Sequence, residues 1–151
     1  MFRSLLIGIP GGMRSMTPLA AVTLAARRGA LPRDNGAPSI LSHPWASWGA
    51  VALAVGELIG DKLPSAPDRI IAPGIAARMV TGAVAGMALA PRERRGFAAF
   101  LGAATAVAAS YITFDARIRS MRHHGQVSTG LMEDAMVLAA TLWIVRGARR
   151  D

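Results

Sequence analysis

Residues 45–64, WASWGAVALAVGELIGDKLP, join an apolar run to a charged end. The run from Trp45 to Val55 has the composition of a membrane-spanning helix, yet Glu57, Asp61 and Lys62 follow within two helical turns. An ionisable side chain inside a bilayer costs about 3 kcal/mol or more unless it is paired or hydrated. The stretch therefore predicts a membrane helix whose charged end finds its partners on other helices.

The composition extends this prediction to the whole chain of 151 residues. It is 52% hydrophobic, with a mean hydropathy of +0.37, but only 5% aromatic, and it contains 16 glycines. Aromatic residues dominate the cores of soluble proteins, whereas small residues let helices pack closely in lipid. We therefore expect an all-α integral membrane bundle with Gly and Ala packing, formed by a single multi-pass domain over residues 1–151. The absence of cysteine excludes disulfides and thiolate chemistry.

The net charge of +8 raises the question of nucleic-acid binding. The basic residues flank apolar runs, as in AARRGALPR (25–33), PRERRG (91–96), RIRSMRHH (117–124) and RGARR (146–150). That distribution is typical of the ends of membrane helices, next to lipid headgroups. A nucleic-acid surface needs a continuous basic face with stacking aromatic residues. The pattern therefore favours the lipid bilayer as the partner and argues against nucleic acid.

Five apolar segments are near the roughly 20 residues that a helix needs to cross a bilayer. Their expected limits are 5–26, 45–63, 70–90, 97–114 and 131–145, and four or six crossings remain compatible with the pattern. A cleaved signal peptide is the alternative for the first segment. Gly11, Gly12 and Arg14 interrupt its apolar core and favour an uncleaved span.

Five spans would place the two termini on opposite sides of an inner membrane. The side that holds the C-terminus then carries nine basic residues: Arg27, Arg28, Arg33, Arg92, Arg94, Arg95, Arg146, Arg149 and Arg150. The other side carries six: Arg3, Lys62, Arg69, Arg117, Arg119 and Arg122. Because cytoplasmic loops are enriched in Lys and Arg, this difference predicts a cytoplasmic C-terminus.

Two arginines fall inside apolar segments. Arg14 lies in PGGMRSMTP (10–18) and Arg78 in PGIAARMVTG (73–82); each follows a Pro-Gly pair and precedes a Thr by three residues. The two stretches resemble a weak internal repeat, although chance similarity is an equal alternative in a chain so rich in Gly and Ala.

The acidic residues lie on other segments. Glu57 and Asp61 are spaced i, i+4 and share one helix face, while Glu133 and Asp134 open the last segment. We expect these acids to face Arg14 and Arg78 around a shared polar core. Four residues nearer the expected membrane interface, Asp61, Lys62, Asp115 and Arg117, are assigned to gating or topology.

Two interpretations of the charged core remain open. In one, the charges are internal ion pairs that fix the register of the helices; in the other, they line a pathway and bind a substrate. The breaks at Pro10-Gly11-Gly12, Pro18 and Pro73-Gly74 favour the second, because interrupted helices are typical of transporter sites. A simple kink or helix start is the alternative, and at Pro73 it is favoured.

No motif for an enzyme is present in the sequence. It lacks G-x-S-x-G, H-E-x-x-H, a phosphate-binding loop and any Cys/His cluster. His123 and His124 are adjacent and point to different faces of a helix, so they do not form a metal pair. We therefore expect no catalytic residue, no metal site and no cofactor.

Four stretches resemble an uncharacterised family of bacterial membrane proteins, domain-of-unknown-function family 4126. They are GMRSMTPLAA (12–21), GELIGDKLPSAPDRI (56–70), GIAARMVTGAVAG (74–86) and TGLMEDAM (129–136). The most specific element is E-x-x-x-D-K-x-P followed by a late Glu-Asp pair. The resemblance implies a multi-pass inner-membrane protein and supplies no activity.

The function expected from the residues is transport or translocation of a small or amphiphilic anion through the charged core. Arg14 and Arg78 would attract the anion, and Glu57 and Glu133 would serve as counter-charges or proton carriers; Asp134 is assigned to the same substrate site. Because five spans are few for a monomeric transporter, a homodimer would be the natural way to enclose a pathway. The alternative is a structural scaffold or subunit whose charges pair internally.

Overall fold

The computed structural model describes residues 1–62 and 71–148, and in these ranges the regular elements are helices. The predicted all-α fold is confirmed for this part of the chain. Residues 63–70, with Arg69, and the C-terminal Arg149 and Arg150 lie outside the described residues. The six α-helices of the described ranges are α1 (Phe2–Met13), α2 (Met16–Arg27), α3 (Pro44–Gly60), α4 (Ala72–Ala88), α5 (Arg95–His124) and α6 (Gln126–Ala148).

Two helices in the described ranges are long and apolar enough to cross a membrane. They cover Arg92–Met121, which contains most of α5, and Gln126–Ala148, which is α6. Both exceed the predicted segments 97–114 and 131–145. The first continues through Asp115 and Arg117, and the second begins earlier, at Gln126, and continues through Arg146. The Gly125 backbone, at φ 78°, separates the two helices.

The first predicted span, 5–26, is two helices instead of one. On α1, Gly8 lies against Thr105 of α5 and Gly12 against Ser110 of α5, so α1 runs parallel to α5. On α2, Ala20 packs against Ala50 and Ala54 of α3, and these three alanines form a second, smaller apolar cluster. The chain therefore changes direction between α1 and α2, at Arg14 and Ser15.

The contacts of α2 show that it runs back along the bundle. The Ser47 hydroxyl donates to the Thr23 carbonyl near the end of α2, while Glu57 reaches the start of α2. In addition, Val22 and Ala25 share one buried cluster with Ile7 of α1. The helices α1 and α2 form a helical hairpin, and we call Arg14 and Ser15 its tip. Each arm has 12 residues and is roughly 18 Å long.

The hairpin gives the bundle two ends. The basal end holds the start of α1, the end of α2, the turn before α5 and the end of α6; the distal end holds Gly125 between α5 and α6. At the basal end, the Arg3 guanidinium donates to the Ile144 carbonyl over 3.3 Å. The start of α1 and the end of α6 thus lie together, which differs from the opposite termini that five spans would produce.

Small residues bring α1, α4 and α5 into backbone contact. A β-carbon at Gly82 would lie 2.7 Å from the Gly102 carbonyl oxygen, and one at Gly12 would lie 2.5 Å from the Ala106 carbonyl oxygen. Such distances leave no room for a side chain. The Gly and Ala packing expected from the composition is therefore found where α1 and α4 meet α5.

Charge is buried inside the bundle and apolar surface is exposed outside it. The Arg14 side chain is 1% exposed and Asp134 7%, whereas Trp45 is 79% exposed and Ile112 70%. Water-soluble domains show the opposite distribution, with charged residues almost never buried and few large apolar patches. The buried charges of this bundle must therefore be neutralised by one another.

Candidate functional site

The hairpin tip exposes backbone donors that a continuous helix would use internally. The amide of Ser15 donates to one carboxylate oxygen of Glu57 over 2.9 Å, and the amide of Met16 donates to the other over 2.9 Å. The Ser15 hydroxyl adds a third bond of 2.9 Å. Glu57 therefore caps the first turn of α2, where free amides and the helix dipole favour a negative charge.

The same break frees an acceptor at the end of α1. In a continuous helix the Gly12 carbonyl would accept from the Met16 amide four residues on, but that amide is bonded to Glu57. Instead, the Gly12 carbonyl accepts from Arg78 Nε over 3.0 Å and from the Ser110 hydroxyl over 3.3 Å. Residues of opposite charge thus cap the two helix ends: Glu57 of α3 caps the start of α2, and Arg78 of α4 caps the end of α1.

Arg14, at the tip itself, connects two aspartates from distant parts of the chain. Its Nη1 lies 2.7 Å from Asp61 Oδ2, directly after α3, and its Nη2 lies 2.7 Å from Asp134 Oδ1 on α6. Its Nε also donates to Asp134 Oδ1 over 2.7 Å. Both aspartates are therefore bonded to the residue at which the chain changes direction.

Two further cations extend these pairs into a chain of alternating charge. Lys62 Nζ lies 2.5 Å from Asp134 Oδ2, while Arg117 of α5 lies 2.7 Å from Asp61 Oδ2 and 2.6 Å from Glu133 Oε2. We call these six residues the charge network. In order of contact they are Lys62, Asp134, Arg14, Asp61, Arg117 and Glu133, with a formal sum of zero.

The shared members of the charge network couple its ion pairs. Asp61 serves both Arg14 and Arg117, and Asp134 serves both Arg14 and Lys62. Neutralising or displacing one aspartate therefore leaves two cations short of a partner at once. Because an uncompensated buried charge is costly, the loss of one aspartate would destabilise the contacts of the tip with the residues after α3 and with α6.

The structure places most of the sequence-predicted site residues together, with some changes of position. Arg14, Glu133 and Asp134 lie in the charge network. Glu57 of α3 lies beside the network and is bonded to the start of α2. The same network contains Asp61, Lys62 and Arg117, for which the sequence predicts a position at a gate or at the membrane interface.

Arg78 and Asp115 lie outside the charge network. Its bond to the Gly12 carbonyl places Arg78 at the end of α1, and a second bond of 3.0 Å joins it to the Gly74 carbonyl of its own helix, α4. The stretches around Arg14 and Arg78 also differ in structure, because the first ends a helix and the second continues one. Asp115 is exposed on α5 and takes no part in the ion pairs described.

Two contributors to the site were not predicted. Ser15 had a usable signal, because Ser after an interrupted helix is a common start for the next one. Ser110 had none: it lies in the ridge Ala98, Gly102, Ala106 and Ser110, which predicts close packing only. Its role at the Gly12 carbonyl depends on the change of chain direction.

Comparison with known proteins gives one match. The model of the family described as Domain of unknown function (DUF4126) matches residues 2–146, which confirms the resemblance seen in the sequence. No curated protein and no solved structure matches the chain.

Proposed function

We propose that this chain, which belongs to the family described as Domain of unknown function (DUF4126), is an integral membrane protein that moves a small or amphiphilic anion through its charged core. The observation that carries the proposal is that the Glu57 carboxylate accepts from the amides of Ser15 and Met16 at the start of α2. Half-helix N-termini of this kind bind anionic groups of substrates in membrane transporters.

Membrane embedding is supported by the surface and by the length of the helices. Arg14, Arg78, Glu133 and Asp134 are buried, while tryptophans such as Trp45 and Trp143 are exposed, which suits an environment of lipid tails and interfaces. Arms of roughly 18 Å are shorter than a hydrocarbon core of about 30 Å. The hairpin would thus enter the bilayer and return, with α3 to α6 crossing it.

The basal end is the better candidate for the cytoplasmic side of an inner membrane. Eight basic residues lie at or beside it in the described ranges, and Lys and Arg are enriched in cytoplasmic segments. They are Arg3, Arg27, Arg28, Arg33, Arg92, Arg94, Arg95 and Arg146. Both ends of the described chain would then be cytoplasmic.

The bonds of Glu57 define the anion that the tip would accept. A carboxylate, or another anion with two oxygens close together, can accept from the Ser15 amide, the Ser15 hydroxyl and the Met16 amide, as Glu57 does. Arg14, adjacent in sequence, would supply the positive charge. In this mechanism Glu57 holds the site in the absence of substrate and leaves when an external anion takes its bonds.

Transport is tested with purified protein in liposomes and a panel of potassium salts: chloride, acetate and phosphate. With a potassium ionophore present, we expect faster anion entry than in protein-free liposomes, highest for acetate, and a loss of about tenfold or more in Arg14→Gln. Asp115→Asn is the matched control, since Asp115 is exposed and outside the ion pairs described. Entry no faster than in protein-free liposomes for every salt would reject transport of this class.

A structural role is the second candidate, and the closeness of the ion pairs favours it. The charge network joins the tip, α3, α5 and α6 through contacts of 2.5–2.7 Å. Such a network can fix the register of helices without taking up any ligand. Loss of folding in Arg14→Gln without anion entry in the parent protein would favour this scaffold. The homodimer expected from the sequence stays a prediction.

A further inference from the structure

A second feature, distant along the chain from the charge network, is a groove at the basal end. Its volume is about 1140 Å³, slightly above the range of ordinary small-molecule sites. It lies between the start of α1, the connection after α2 and the end of α6. We call it the basal groove; its walls include Arg3, Leu6, Arg33, Asp34, Trp143 and Ile144.

One wall of the basal groove is positively charged. Arg3 is partly buried, lies against Gly147 and donates from Nη1 to the Ile144 carbonyl. Arg33 is exposed and also borders a smaller cavity of about 350 Å³. Among the lining residues that the structure describes, Asp34 is the acid, and the side-chain charges of Arg3, Arg33 and Asp34 sum to +1.

The remaining walls are apolar, and the rim faces outward. Leu6, Leu31 and Leu89 line the interior, and Phe2 and Trp143 stand at the rim with 71% and 68% of their surface exposed. Contact with these apolar walls would not favour the binding of a free inorganic anion. An amphiphile with a negatively charged head would contact the arginines with its head and the apolar walls with its hydrocarbon chains.

We propose that the basal groove binds an anionic phospholipid, with its phosphate at Arg3 and Arg33 and its acyl chains along Phe2 and Trp143. Basic pockets between membrane helices on the cytoplasmic side bind anionic headgroups, and exposed tryptophan is typical of the membrane interface. The inference rests on the membrane placement within the proposed function and not on anion movement, so either can fail alone.

The test uses the purified full chain in a neutral detergent, titrated with phosphatidylglycerol or phosphatidylcholine and followed by native mass spectrometry. We expect one phosphatidylglycerol to bind about tenfold more tightly than phosphatidylcholine, since each nearby Arg adds to the attraction of an anionic headgroup. In Arg33→Gln this preference should fall at least threefold. Arg119→Gln is the matched control, because Arg119 is an exposed arginine toward the distal end and should keep the preference.

One further arm of the experiment separates a lipid from a free phosphate ester. Glycerol 3-phosphate carries the same phosphate without acyl chains and should leave phosphatidylglycerol binding unchanged at millimolar concentration. Competition by glycerol 3-phosphate would mean a site for free phosphate esters and would overturn the proposal. Equal binding of the two lipids, or an equal loss in Arg119→Gln and Arg33→Gln, would overturn it as well. Because Arg33 is exposed, Arg33→Gln is expected to fold even where Arg3→Gln does not.

Discussion

At the residue scale, Arg14 decides how the hairpin tip is held. It is 1% exposed, and its bonds to Asp61 and Asp134 replace the water that an arginine would otherwise have. Burying a charge is favourable only when the partner geometry offsets the lost hydration. Arg14 therefore stabilises the tip through its two ion pairs. The free energy lost on its removal depends on which counter-ions remain for Asp61 and Asp134.

The first prediction is a double-variant cycle on Arg14 and Asp134. Arg14→Gln and Asp134→Asn should each lower the free energy of unfolding by about 3–5 kcal/mol, because each leaves an uncompensated buried charge. The combined variant should lose clearly less than the sum. Thermal or denaturant unfolding in detergent measures this, with Asp115→Asn as the control. Strictly additive losses would show that the two side chains act independently.

The second prediction concerns the site that Glu57 occupies. Glu57→Ala should lower the unfolding temperature, because the Ser15 and Met16 amides lose their acceptor. Acetate or formate at tens of millimolar should restore part of the loss by binding the same donors. Chloride at equal ionic strength should restore less.

The control for that prediction is Glu93→Ala, which removes an exposed acid from the turn before α5. It should change stability little and show no rescue by acetate. If acetate raised the unfolding temperature of the parent, Glu57→Ala and Glu93→Ala by the same amount, the effect would be a general one of the salt, and the anion site at the tip would be refuted.

At the scale of helices, glycines separate the packed surfaces of the bundle from its free ones. A β-carbon at Gly102 of α5 would collide with the Gly82 carbonyl of α4, whereas one at Gly49 of α3 would meet nothing within 4 Å. Identical residues in two helices therefore have opposite roles. In α5 glycine permits contact, and in α3 it only lowers helix propensity.

The third prediction compares Gly102→Ala with Gly49→Ala. Gly102→Ala should cost about 1–3 kcal/mol or prevent folding, because backbone atoms cannot move aside for the methyl group. Gly49→Ala should be neutral or stabilise by up to about 1 kcal/mol through helix propensity. Unfolding of both variants in the same detergent gives the comparison. Equal effects would mean that α4 and α5 are not packed as described.

The helices also show what the sequence could and could not predict. The cost of an unpaired charge in an apolar segment was sufficient to predict that Arg14 lies near acids such as Asp61 and Asp134. The hairpin was not predictable, because an apolar stretch such as 5–26 has the same composition whether it crosses a membrane or turns back within it. Arg117 was placed at an interface because the hydropathy of its segment falls after residue 114, while α5 continues to His124.

At the scale of the whole molecule, the hairpin sets which surfaces share a side of the membrane. Residues at the start of α1, in the connection before α3 and at the end of α6 all lie at the basal end. A single span over 5–26 would instead separate Phe2 from Ser39. The location of Phe2 therefore distinguishes the two arrangements.

The fourth prediction uses the absence of native cysteine. Single variants Phe2→Cys, Ser39→Cys and Arg146→Cys should react alike with a membrane-impermeant maleimide, from the cytoplasmic side. Ser128→Cys, near the distal end, should react from the opposite side. Labelling of Phe2→Cys together with Ser128→Cys, and apart from Ser39→Cys, would restore the five-span arrangement. Labelling of all four from both sides of intact vesicles would contradict membrane embedding itself.

The distance along the chain between Arg14 and Asp134, 120 residues, has a consequence for biosynthesis. Chains leave the ribosome at about 5–20 residues per second, so Arg14 emerges roughly 6–24 s before its partner on α6. During that interval the tip has no complete set of counter-ions, and the hairpin should wait at the insertion machinery or the membrane surface. A chain truncated before Glu133 should accordingly remain sensitive to protease around residue 14. The synthesis of α6 therefore determines when α1 and α2 reach their final depth.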